Sequence, residues 1–152
     1  MINPPGKGVM TYVDNSIYDG DWLDDQIHGS GYYSYTNKDF YAGTFDHGKI
    51  NGKGSMKYAD GRVYDGQWVD GVWNGTGTLK FPNGDFYQGG FVDGLMQGHG
   101  VYKYDNGNVY DGNYEEGYRQ GHGTFKNVIE NTVYEGKPVF ISYLYVLTKR
   151  VR

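Results

Sequence analysis

Two short runs, Tyr64-Asp65-Gly66-Gln67-Trp68 and Gly77-Thr78-Leu79-Lys80-Phe81, decide the fold of this chain. In the first, the two rings and the glycine share one face of an extended backbone, and Asp65 and Gln67 share the other. In the second, Gly77, Leu79 and Phe81 oppose Thr78 and Lys80. Alternation with period two is the signature of a half-buried strand. A Gly-containing loop joins the runs, and Pro82-Asn83-Gly84-Asp85 follows the second as a turn, since Asn and Gly tolerate positive φ.

The same arrangement recurs along the whole chain. Tyr18, Tyr41, Tyr64, Tyr87 and Tyr110 lie 23 residues apart, and Tyr134 follows after 24. With each Tyr as position 0, position 2 is always Gly, from Gly20 to Gly136. Position 4 is a large ring: Trp22, Phe45, Trp68, Phe91 and Tyr114. Positions 11 and 13 are Gly in every unit, and Gly6 and Gly8 fill them in a half-unit before Tyr18. Of the 26 glycines, all but Gly90 hold a periodic place. Two strands per unit predict an all-β antiparallel meander of about a dozen strands, with no room for a helix inside a unit.

The register expected from a loop over positions 6 to 11 sets position 4 opposite 13, position 2 opposite 15 and position 0 opposite 17. Each glycine would then clear space for a ring on the neighbouring strand. Such cross-strand pairs contribute roughly 0.2–1 kcal/mol each. This reading accounts for a composition of 26 Gly beside 17 Tyr, 7 Phe and 3 Trp in 152 residues. Unpatterned, that much Gly would suggest disorder, but disordered segments are poor in aromatics.

Composition removes several functions. Eighteen acidic against fourteen basic residues, a net charge of −4, argue against nucleic-acid binding. With no Cys there is no disulfide scaffold, thiol nucleophile or thiolate metal site. No apolar run reaches the roughly 20 residues needed to span a bilayer. Met1 to Pro5 carries no basic, apolar leader, so a soluble, cytoplasmic protein is expected, peripheral to membrane or cytoskeleton if attached to either. No catalytic residue and no cofactor are expected, because Ser, His and Asp recur at repeat positions rather than once in a cleft. Nor is a metal expected: His99 and His122 stand about 9–10 Å apart on alternate strands, and His28 and His47 fall at unrelated loop positions.

The unit Tyr-x-Gly-x-Trp/Phe-x-x-Gly-x-x-x-Gly-x-Gly resembles the membrane occupation and recognition nexus (MORN) repeat. Tyr64 to Gly71 with Gly75-Thr76-Gly77 is the cleanest copy, and the likeness runs from residue 6 to about 137. Departures are Asp25 at position 7 and Lys38 at position 20 of the first unit, and Asn127 at position 17 of the fifth. The expected organisation is a partial repeat over 1–17, five repeats (18–40, 41–63, 64–86, 87–109 and 110–133), and a partial repeat with a capping or interaction segment over 134–152. The resemblance implies an elongated, open-ended, single-layer sheet with an aromatic face, serving as a scaffold or binding platform. Phosphoinositide binding is the family's traditional assignment.

Three features are candidates for function. The first is the stripe of Tyr18, Trp22, Tyr41, Phe45, Tyr64, Trp68, Tyr87, Phe91, Tyr110 and Tyr114, which either receives a protein partner or only stacks on itself. The second is a ladder at position 16, Lys57, Lys80, Lys103 and Lys126, on the opposite face. It either attracts anionic phospholipids or pairs with acids at position 1, such as Asp65, Asp111 and Glu135. The third is the Gly-free tail, where Phe140, Ile141, Tyr143, Leu144 and Tyr145 are expected to form a cap, as strand or short helix, or a homodimer interface. These features together lead to the expectation of a non-enzymatic scaffold with a protein partner on the aromatic face or array ends. A peripheral membrane protein binding anionic lipid is the alternative.

Overall fold

A strand whose rings all lie on one face must cover that face, and here neighbouring repeats do so for each other. A computed structural model describes residues 6–141 and 144–151, with side chains for 6–137. The described residues form thirteen strands in a single open sheet, paired antiparallel and ordered as in the sequence. Each repeat gives a seven-residue strand, such as Val63–Val69, and a nine- or ten-residue strand, such as Val72–Lys80.

The hairpin that joins them is tighter than the spacing of glycines suggests. Val69 pairs Val72, so only Asp70 and Gly71 turn the chain. Both have positive φ, 49° and 84°. Two left-handed residues make the mirror-image turn whose twist matches that of the strands. The following glycines are then free for a bulge: Gly66 pairs Gly77 but Trp68 pairs Trp73, so the second strand carries two extra residues around Gly75, whose φ is 86°.

This corrects the register by two residues. Position 0 pairs position 15 on both sides, as Tyr64 does with Leu79 and Met56. Position 2 pairs position 13, glycine against glycine, as in Gly66↔Gly77 and Gly54↔Gly66. Position 4 faces position 9 of its own unit and the position-11 glycine of the unit before, so Trp68 lies between Trp73 and Gly52. The six-residue loop was too long because Asp-Gly alone closes the turn.

Paired glycines leave a trench across two strands, and the position-0 tyrosine lies in it. A Cβ on Gly66 would meet the Tyr64 hydroxyl at 2.5 Å and the Gly77 Cα at 2.7 Å. The Tyr64 hydroxyl reaches over the trench and donates to the Gln67 carbonyl at 2.9 Å, and Tyr18, Tyr41 and Tyr87 repeat this bond to Asp21, Thr44 and Gly90. Position 0 is therefore Tyr rather than Phe: the ring fills the trench and the hydroxyl satisfies a carbonyl beside the bulge. Burial pushes the phenols of Tyr18, Tyr41, Tyr64 and Tyr87 up to about 12.

Each position-4 ring from Phe45 to Tyr114 then stands edge-on between two of these tyrosines. Trp68 meets Tyr64 at 5.0 Å and 89°, and Tyr41 of the previous unit at 5.6 Å and 87°. Phe91 meets Tyr87 at 5.2 Å and Tyr64 at 5.1 Å. The series runs unbroken from Trp22 to Tyr110. Edge-to-face pairs add about 0.5–1.5 kcal/mol each beyond area burial. The rings couple neighbouring repeats as well as filling them, so the core of this sheet is a row along one face.

The tail continues as strand, not helix. Thr132–Ile141 and Leu144–Val151 pair with each other and extend the sheet by one hairpin, with Phe140 opposite Tyr145 and Ile141 opposite Leu144. The side chains of Phe140, Ile141, Leu144 and Tyr145, and Tyr143 altogether, lie outside the described residues.

Candidate functional site

The ten rings of the expected partner-binding stripe do lie together on one face, but the fold itself uses them. Nine are buried, from Tyr18, Tyr41, Tyr64, Tyr87 and Tyr110 at 0 % exposure to Phe45 at 5 %. Trp22 alone is half-buried, and its indole donates to the Gly8 carbonyl at 3.1 Å. Trp68 makes the same bond to Gly54 at 3.0 Å. The cause is the register: the trench sinks the tyrosines, and each position-4 ring after Trp22 is clasped by tyrosines of two repeats.

What the ring face offers outward is a second layer. Tyr35, Tyr58, Phe81 and Tyr104 at position 17, with Trp73, Met96 and Arg119 at position 9, are half-buried over the core. Position 9 also holds the buried Ile27 and Ile50. Sequence reading missed this column because its five members share neither charge nor shape. The pairing with position 4 is what brings them to the ring face.

The outer layer is tied by polar tips. The Trp73 indole donates to the Tyr58 hydroxyl at 2.9 Å, and the Arg62 guanidinium lies 5.0 Å from the Tyr58 ring centre. Arg119 lies over the rings of Tyr110, Tyr102 and Tyr104 at 4.3, 5.6 and 5.5 Å, and donates to the Tyr104 hydroxyl. Arginine over a tyrosine face is an attraction of about 0.5–2 kcal/mol. Tyr102 donates to buried Asp85 at 2.9 Å, which also accepts from the Asp105 amide at 2.8 Å and so joins successive turns.

The lysine face also differs from expectation. Lys80 pairs Val63 and Phe86, not Asp65, and Lys103 pairs Phe86 and Val109, not Asp111. With Lys57 between Phe40 and Val63, and Lys126 between Val109 and Val133, cations and apolar residues alternate across the strands. Among the described residues none of the four lysines has an ion pair, whereas Lys7 pairs Asp21 and Lys49 pairs Asp70. Position 1 lies opposite position 14 instead, as Asp65 does opposite Thr78, because the register is displaced by two. Lys103 lies 5.3 Å from the Phe86 ring centre. A polar concavity of about 480 Å³ lies on this side of the sheet, lined by Lys53, Asp65, Gln67, Thr76, Thr78 and Gln88 among others.

Two of the four histidines are not where their sequence positions imply. His28 and His47, on different repeats, have ring centres 5.5 Å apart. His99 pairs Asp111 at 2.7 Å. No helix among the described residues is long and apolar enough to cross a membrane.

Comparison with known proteins bears on the whole array. The family model of the MORN repeat matches six segments, residues 6–17, 18–40, 41–61, 64–86, 87–109 and 110–127. Among solved structures, a similar chain is the SAS-4 (dCPAP) TCP domain in complex with a proline-rich motif of Ana2 (dSTIL), from Drosophila melanogaster. It is 13% identical, with 86% of this chain and 89% of that chain covered and a TM-score of 0.40. No curated protein matches the chain.

Proposed function

The chain belongs to the MORN repeat family, a non-enzymatic repeat family, and on that premise we propose that it is a scaffold that holds a protein partner on its ring-bearing face. The supporting observation is the outer layer. Tyr35, Tyr58, Phe81 and Tyr104 stand half-buried in a row with Trp73, Arg62 and Arg119 beside them. Tyr, Trp and Arg are the residues that dominate binding hot spots, combining large contact area with a polar tip. They sit on a row of edge-to-face rings that holds their rotamers, so little ordering is left to occur on association. The contacting residues are thus the second layer, while the stripe from Tyr18 to Tyr114 is its support. The array ends, including the hairpin of the tail, remain the other proposed contact.

The test is a pull-down with wild type and a Tyr58→Ala/Arg62→Ala variant whose fold is checked by circular dichroism. Removing two hot-spot residues is expected to weaken capture by about 30-fold or more, from at least 2 kcal/mol. Equal recovery of the same partners by a folded variant would move the interface off this face.

The second reading, anionic phospholipid binding by Lys57, Lys80, Lys103 and Lys126, draws support from the alternation of those lysines with Phe40, Val63, Phe86 and Val109. Lysines with no acid directly opposite and no ion pair keep their attraction for head groups, about 1 kcal/mol each near a membrane surface. Co-sedimentation with vesicles containing anionic lipid at physiological salt is expected to pellet wild type, with Lys80→Glu/Lys103→Glu left in the supernatant. Wild type that stays in solution ends this reading.

A further inference from the structure

Two departures from the repeat meet at one point. Position 10 holds Asn51, Asn74, Gln97 and Gln120 in the later units, but His28 in the first. Position 6 holds Asp24, Asp70, Asp93 and Glu116, but His47 in the second unit. Each hairpin tip docks on the tip before it through a bond from the position-7 amide to the position-9 carbonyl, here Gly48 to Ile27 at 2.8 Å. That bond brings position 10 of one repeat beside positions 5 and 6 of the next. Position 5 of the second unit is Asp46, where the next two repeats carry Val69 and Val92.

The three side chains converge. Asp46 Oδ1 lies 3.4 Å from Nδ1 of His28 and 2.7 Å from Nδ1 of His47. One donor atom from each residue falls within 4.8 Å of both others. The imidazoles meet nearly edge to face, at 78°. Nδ1 of His28 is buried and has no hydrogen-bond partner among the described residues. A buried ring nitrogen left unbonded beside a carboxylate is a group that asks for an explanation, and a bound cation supplies one.

We propose that His28, Asp46 and His47 form a binding site for one zinc ion, joining the tips of the first two repeats. Zinc binds imidazole nitrogen and carboxylate oxygen at about 2.0–2.2 Å with tetrahedral geometry, which sets donors about 3.4 Å apart. The His28–Asp46 separation already has that value. The exposed His47 side chain, at 72 %, has freedom to retreat from 2.7 Å to the same distance. Three protein ligands leave a fourth position to water. Two imidazoles and one carboxylate select zinc or a similar transition ion over magnesium or calcium, which prefer oxygen donors alone. The same tips elsewhere place Asn74 beside Val92 and Asp93, a set with no imidazole, so the site is specific to one junction of the array.

The repeat itself provides the variant that tests this without disturbing the hairpin. His28→Asn and His47→Asp install residues that other units already carry at those positions, and Asp70 shows that Asp accepts the positive φ found at His47. Untagged protein is titrated with zinc by calorimetry and with cobalt by visible absorption. Wild type should bind one ion per chain, give a tetrahedral ligand-field band with cobalt, and melt at higher temperature with zinc. Changing a residue that merely orients a ligand costs 10–100-fold in affinity, so removing the His28 ligand and exchanging the His47 imidazole for a carboxylate should cost about 100-fold or more. The control His99→Gln/His122→Gln should bind as wild type does. Stoichiometric binding kept by the His28→Asn/His47→Asp variant, loss in the control, or wild type with no binding at micromolar zinc would each overturn the site.

Discussion

Replacing Gly66 by Ala is expected to cost this protein about 2–4 kcal/mol, a large effect for one methyl group. The new Cβ would stand 2.5 Å from the Tyr64 hydroxyl and 2.7 Å from the Gly77 Cα. One of these obstacles is backbone, so the strand cannot yield without parting from its neighbour. Overpacking of this kind costs about 1–3 kcal/mol. Lifting Tyr64 also breaks its bond to the Gln67 carbonyl, worth about 1 kcal/mol. For a chain of this size the melting temperature should fall by roughly 10 °C. Two controls separate packing from backbone conformation. Gly6→Ala meets nothing within 4 Å and should be nearly neutral. Gly71→Ala also meets nothing but has a φ of 84°, so it should lose about 1 kcal/mol to strain alone. Urea unfolding monitored by circular dichroism ranks the three, and a Gly66→Ala variant no weaker than Gly71→Ala would refute the trench.

That trench marks the limit of what the sequence discloses. The 23-residue period announces strands, hairpins and a single ring-bearing face, because alternation and glycine spacing are properties of one chain segment. Register depends on how many residues turn, and Asp70-Gly71 was hidden by the more conspicuous Gly75 and Gly77. A two-residue error in register leaves each side chain on the same face but changes its neighbours. The rings accordingly stay together, yet the stripe is buried, and the lysines remain on the polar face with valine and phenylalanine where acids were expected. Position 9 was illegible for another reason: Ile27, Ile50, Trp73, Met96 and Arg119 form no recognisable column. His28 and His47 lie 19 residues apart in sequence and meet only because a position-7 amide bonds the previous repeat. Their signal was the break in the columns at positions 10 and 6, which becomes informative once tip docking makes those positions adjacent.

Trp68→Ala is expected to destabilise the array by about 3–5 kcal/mol, the usual cost of removing a buried aromatic ring. Trp68 is 3 % exposed and stands edge-on to Tyr64 and Tyr41, and its indole satisfies the Gly54 carbonyl at 3.0 Å. Its truncation opens a cavity between the second and third repeats and leaves that carbonyl unpaired. In a linear array, stability is the sum of repeat terms and nearest-neighbour terms, so weakening one junction near the middle uncouples the halves. Unfolding should therefore become broader or split into two steps, with Trp fluorescence and circular dichroism no longer changing together. Trp73→Ala, at the half-buried position opposite, should lose roughly half as much, since it keeps the core row intact. The contrast decides how a loss of partner binding is read. A Trp68→Ala protein that fails to bind reports on folding, whereas a Tyr58→Ala/Arg62→Ala protein that fails to bind reports on the surface. If Trp68→Ala unfolds in one sharp step with less than about 1 kcal/mol lost, the rings do not carry the coupling between repeats, and the buried stripe returns as a candidate for contact.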